Sequence, residues 1–171
     1  DVGVAAKRVL NDSALGKILS GKRIAIGVGS RGIANLPMLV RAVVEWAYAA
    51  GASPYIVPAM GSHGGATAEG QIETLASLGI DEIACGAPIV ATMETQEIGR
   101  LPDGPVLYQG LDSLAADHTF LVSRIKPHTD FRSTLESGPA KMAVIGLGKQ
   151  RGALAMHEGG GANFQRFLAP A

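Results

Sequence analysis

The sequence predicts an α/β fold with a mostly parallel sheet layered between helices, and three observations carry that expectation. Short β-branched apolar runs alternate with segments of helical periodicity, glycine-rich loops follow the runs, and the residues suited to chemistry fall in those loops. The chain has 171 residues, enough for one domain with a substantial core. It reads as a single α/β domain over 1–171, with its informative motifs between about 22 and 160.

Each element has a local cause. Arg23 to Val28 is a β-branched apolar run ended by Gly29, the pattern of a buried parallel strand. Asn35 and Pro37 then open a helix, because Asn can cap free amides and Pro is tolerated in a first turn. Leu36, Leu39, Val40, Val43, Val44 and Ala47 repeat at helical spacing up to Gly51, a C-cap glycine. Pro54 to Pro58 is the next strand, and after the loop Ala59 to Ala66 a second helix runs from Thr67, its cap, to about Leu78, with Gly79 as its stop. Ile89 to Thr92 reads as a weaker strand. Glu97 to Gly110, broken by Leu101-Pro102-Asp103-Gly104, reads as a hairpin or an irregular excursion. Thr119 to Ser123 is another buried strand, followed by a polar loop from Arg124 to Pro139. The type of Lys141 to Leu147 and of Gly152 to His157 is left open by the pattern.

Composition narrows the function classes. The 15 Lys and Arg balance 15 Asp and Glu, which removes the electrostatic term behind nucleic-acid or anionic-membrane binding, so neither partner is expected. Arg41 and Glu45 interrupt the most hydrophobic segment, so nothing reaches the roughly 18 apolar residues of a membrane span. A lone Cys85 forms neither an internal disulfide nor a multi-thiolate metal site, and no secretory signal is visible, which makes a cytoplasmic location the default. Glycine accounts for 23 of 171 residues, nearly twice the usual share of about 7%. The first residue is not Met, and Gly159-Gly160-Gly161 with Phe164 to Ala171 reads as an interruption, so a piece of a longer chain is expected.

In open α/β sheets ligands bind outside the carboxyl ends of strands, which singles out three loops. Gly27-Val28-Gly29-Ser30-Arg31-Gly32 offers free amides, a helix N-terminus and a guanidinium fork to a carboxylate or phosphate. Its glycines make no dinucleotide fingerprint, and a tight turn with a solvated arginine is the plain alternative. His63, flanked by Gly61, Ser62, Gly64 and Gly65, is uncrowded and of a type that titrates near neutrality, as proton transfer or metal ligation requires, although a lone loop histidine is more often ordinary than catalytic. His128 follows Lys126-Pro127 and stands among Asp130 and Arg132, either a positioned acid or base or an ordinary surface turn. Lys141 precedes the apolar run Met142 to Ile145, where a lysine loses its charge readily, although snorkelling at a helix start is the reading the residues alone favour. His157-Glu158 has no second histidine four residues on, so no zinc-protease helix is present, and His118 reads as a strand-edge residue.

Taken in order, Arg31 in Ser-Arg-Gly, His63 in Gly-Ser-His-Gly-Gly, His128 in Lys-Pro-His, Lys141 after Ser137-Gly138, and His157 in Met-His-Glu resemble the N-terminal domain of nickel-pincer nucleotide dependent lactate racemases and related 2-hydroxyacid racemases and epimerases. The likeness runs from about Lys22 to Gly160, and the intervals from Arg31 to His63, His63 to His128 and Lys141 to His157 look like that family's. The resemblance implies a three-layer, Rossmann-like N-terminal domain of a two-domain enzyme, an isomerase acting on a small 2-hydroxyacid, whose C-terminal closing domain is missing from this stretch. It implies that Lys141 holds the nickel-pincer nucleotide covalently, that His157 ligates the nickel, and that the cofactor supplies the remaining ligands. It makes His63 and His128 the acid and base on opposite faces of the substrate and Arg31 the carboxylate anchor. Gly29, Ser30, Gly64 and Gly65 then belong to the loops approaching the nucleotide.

The sequence also departs from the pattern. The stretch between His128 and Lys141 is longer than the family's, and Gly138-Pro139-Ala140 stands where a glycine pair is common, so Lys149 competes with Lys141 as the anchor. The acidic residue that often precedes the arginine is absent. Two further readings stand beside the racemase: a non-racemase member of the same fold that binds a phosphorylated small molecule or nucleotide, and a hydrolase with zinc on His63, His128 and His157.

Overall fold

The protein is described from a computed structural model, which covers residues 1–127, 132 and 135–171. A three-stranded parallel sheet forms its centre, with β1 (Arg23–Val28) between β2 (Ser53–Pro58) and β5 (His118–Val122). The last five residues of both β1 and β2 are buried, which is why these strands read as continuous apolar runs rather than alternating ones. Ile24, Ile26 and Val28 pack with Val40 and Val44 of α2 (Leu36–Ala49) and Leu75 of α3 (Ala68–Ser77). Ala25, Tyr55 and Val57 turn to the opposite face, where Leu147 closes a second cluster with Leu121 and Met142 against it. The sheet is thus the middle of three layers.

Of the two expected N-caps, Thr67 caps with its side chain and Asn35 does not. Asn35 is the residue before α2, but it adopts a left-handed backbone (φ 60°) and its side chain makes no capping bond. Pro37 sits in the first turn as expected, and Gly51 (φ +79°) follows the last turn. Thr67 caps α3 by accepting the Gly70 amide at 3.0 Å. One segment differs from expectation. Ile89 makes one parallel bridge to Ile56 rather than a strand: Pro88 has no N–H to donate, and only the Pro88 carbonyl and Val90 amide bond Ile56, at 2.8 and 2.9 Å. The amino-terminal α1 (Val2–Asp12), which has no buried residue, packs on α2 and is joined to it by the Lys7–Glu45 ion pair.

After α4 (Glu82–Cys85), the excursion is an antiparallel hairpin of β3 (Thr95–Arg100) and β4 (Val106–Gly110), whose register shifts between Glu97 and Gly99. It leads into α5 (Leu111–Leu114) and returns to the sheet. The segments of open type are helical: α6 (Pro139–Lys141) runs into a π-helical turn over Met142–Gly146, followed by α7 (Lys149–His157) and α8 (Gly160–Phe167). Ile145, Ala153, Met156, Phe164 and Phe167 bind these turns together. Among the described residues, no helix is long and apolar enough to cross a membrane.

Candidate functional site

Because β1, β2 and β5 are parallel, their carboxyl ends open on the same edge of the sheet, and β1 has a neighbour on each side there. The loops leaving that edge diverge and leave a crevice. The helical segment after β5 closes it: Gly146 lies so near the β2 loop that a Cβ on it would sit 2.6 Å from the Ala59 carbonyl oxygen, and its own carbonyl accepts the Gly61 amide at 3.1 Å. The resulting cleft of about 240 Å³ takes Gly29, Ser30 and Arg31 from the β1 loop, His63 from the β2 loop, Lys141 from α6 and His157 from α7. Six residues singled out from the sequence therefore face one space.

His63 is the most constrained of them. Gln71, fully buried on the inward side of α3, donates from Nε2 to the carbonyls of Gly61 and His63 at 2.9 and 3.2 Å. The His63 amide bonds the Met60 carbonyl at 3.2 Å. With its backbone held, the ring is set by Ser30, whose Oγ lies 2.5 Å from Nδ1. The residue opens to the cleft, yet the walls screen its ring, and burial first, then the positive charges of Arg31 and Lys141, lower its pKa below the ordinary histidine value. It is a neutral imidazole near pH 7, which suits a base.

Lys141 and His157 meet around one ring. The Lys141 ammonium stands 5.5 Å from the centroid of Phe164, and the His157 ring meets the same phenyl edge-on at 4.8 Å. Lys149 is elsewhere: it is completely buried, with Nζ 2.6 Å from Asp112 Oδ2 and 2.7 Å from the Pro58 carbonyl oxygen. Burial lowers the pKa of its ammonium, and Asp112 opposes that shift. Of the two competing lysines, only Lys141 lines the cleft.

Two expected positions fall outside it. Gly64 and Gly65 line a shallow groove along α3 instead. Gly64 (φ +65°) is needed for packing, since a Cβ there would come within 2.5 Å of the Gly70 backbone. His128 lies outside the described residues, and so does any contact it makes. Conversely, Arg124 and Lys126 join the lining after β5. Gln71 was overlooked in the sequence, although its placement one helical turn before Leu75 marks it as a polar residue on an inward face.

Among the described residues, the charge lining the site has one sign. The described residues lining it include Arg31, Arg124, Lys126 and Lys141 and no carboxylate, so it attracts an anionic ligand. Among the described residues, no three His, Cys, Asp or Glu side chains gather to hold a metal; a zinc site on His63, His128 and His157 would depend on a histidine outside them. One imidazole beside one lysine is, however, a donor set that suits a metal group bringing its own ligands. Against known proteins, no family model matches this chain and no curated protein matches it.

Proposed function

We propose that this cleft is the active site of a cytoplasmic 2-hydroxyacid racemase or epimerase that works with a nickel-pincer nucleotide, the chain forming the N-terminal domain of a two-domain enzyme. The observation that carries the reading is that Lys141 and His157, which line the same cleft as Arg31 and the Ser30–His63 pair, both approach the buried ring of Phe164. Lys141 would hold the nucleotide covalently, and His157 would offer its imidazole to the nickel. When bound, the group would supply a hydride acceptor and donor for the carbinol carbon of the substrate.

The chain's own side chains do the rest. Arg31 binds the substrate carboxylate through its guanidinium fork and fixes which carbon faces the ring of His63. His63, neutral near pH 7, accepts the hydroxyl proton at Nε2 and returns it when the hydroxyl reforms. His128 is assigned the same task on the opposite face, as inversion at one carbon requires. A C-terminal domain of the same protein would close over the cleft and exclude water.

Peptide mapping and nickel analysis of the protein co-expressed with the cofactor-making enzymes test the reading. An adduct on Lys141, nickel that is lost in His157→Ala, and interconversion of the enantiomers of a 2-hydroxyacid are the expected results. An adduct on Lys149, or neither adduct nor nickel, refutes it. The four cations among the described residues of the cleft favour one second reading, a non-racemase that binds a phosphorylated small molecule or nucleotide. Saturable binding of such a ligand by a protein that takes up no nickel would establish that alternative.

A further inference from the structure

The Ser30 hydroxyl, grouped by its loop with the nucleotide-approaching residues, is engaged by another side chain in the cleft. Its Oγ lies 2.5 Å from His63 Nδ1, a bond between two loops that leave adjacent strands. We propose that Ser30 is a positioning residue that holds His63 in the tautomer with hydrogen on Nδ1, so that Nε2 presents its lone pair to the cleft.

Three observations support this. The His63 backbone is already pinned by Gln71 and Met60, so the remaining freedom is rotation of the side chain, which a bond to Nδ1 removes. Ser30 is half-buried two residues beyond β1, the central strand, which ties it to the sheet. Among the described residues, Arg31 from the same loop as Ser30 and Lys141 from α6 act on the ring, and Arg124 and Lys126 from the segment after β5 and His157 from α7 line the same cleft. None of these described groups is a carboxylate.

A neutral oxygen on Nδ1 has a chemical consequence. A carboxylate there would stabilise the imidazolium and raise the pKa, leaving the proton on the ring. A hydroxyl accepts the Nδ1 hydrogen whether the ring is neutral or protonated, so the orientation survives as Nε2 gains and loses its proton. That suits a residue that serves as base in one direction of a reversible reaction and as acid in the other.

The inference takes from the proposed function only the idea that Nε2 is the working nitrogen, and its test reads the tautomer in the cofactor-free protein. Imidazole nitrogen chemical shifts of His63, followed by NMR through a pH titration, should show hydrogen on Nδ1 and a lone pair on Nε2 above the pKa. Ser30→Ala should mix the two tautomers. It should also lower the pKa by roughly half to one pH unit, because the bond to the charged ring is the stronger one. Ser30→Thr, which keeps the hydroxyl, should restore both properties. In cofactor-loaded protein, Ser30→Ala should lower kcat roughly tenfold with little change in KM, a loss equivalent to about 1.4 kcal/mol. Hydrogen on Nε2 in the unmodified protein, or a tautomer and pKa that Ser30→Ala leaves unchanged, overturns the inference. If the tautomer responds but no hydroxyacid enantiomers interconvert, the positioning role stands and the racemase reading falls.

Discussion

Replacing Lys149 by methionine removes the cation from a buried pair while leaving its bulk nearly intact. The Lys149 and Asp112 side chains are fully buried, with Nζ 2.6 Å from Oδ2, and the same ammonium donates to the Pro58 carbonyl at 2.7 Å. Asp112 would retain the Ser113 amide at 2.8 Å and the Thr92 amide at 3.3 Å. Losing one member of a buried pair costs about 3–5 kcal/mol, and the two remaining amides put this case at the lower end. The orphaned Pro58 carbonyl adds about 1 kcal/mol, so a loss of about 4 kcal/mol is expected. Lys149 has φ +54°, a backbone strain that methionine inherits and that cancels in the comparison. For a chain of 171 residues this corresponds to a fall in Tm of roughly 8–16 °C. Urea denaturation followed by circular dichroism measures it, with an unchanged slope showing that the surface exposed on unfolding is the same. The double variant Lys149→Met with Asp112→Asn removes the stranded charge and should recover about 2 kcal/mol. A single-variant loss below about 1 kcal/mol, or a double variant no better than the single, would refute the assignment of Lys149 to this pair and reopen its candidacy as a cleft lysine.

The remaining predictions concern the cleft. His63 should titrate below 6.5, and Lys141→Gln should raise its midpoint, since that charge is one cause of the depression. Between the folded pKa and 6.5 the unfolded chain binds more protons, so this group's contribution to stability grows as pH rises through that window and is lost as pH falls through it; NMR titration reads the midpoint. Gly146→Ala should destabilise by about 1–3 kcal/mol, because its Cβ would sit 2.6 Å from the Ala59 carbonyl oxygen, and hydrogen exchange at the Gly61 amide should quicken as the wall moves outward. His63→Ala in cofactor-loaded protein should lower turnover roughly two to four orders of magnitude and leave nickel content unchanged; near-native interconversion would remove His63 from the reaction.

What the sequence determined by itself was the local logic. The apolar run Arg23 to Val28, the Thr67 cap, the glycine after α2 and the hairpin broken at Leu101 to Gly104 are signals contained within a few residues, and they produce the elements they indicate. The rule that ligands meet strand ends then brought Arg31 and His63 to one edge without any coordinates. Only the tertiary structure could decide matters between distant residues. Lys141 and Lys149 both stand in the same glycine-punctuated stretch of sequence, and what separates them is that Asp112 and the Pro58 carbonyl meet one of them in the interior. The glycines around His63 look alike as well, yet Gly64 is required by Gly70 across the loop, while Gly61 lines the cleft. The Ser30–His63 bond joins two strand ends separated by a whole helix. Local pattern records which conformation a segment prefers; it carries no record of which polar group will be nearest when two segments pack, and the chemistry of this cleft depends on that proximity.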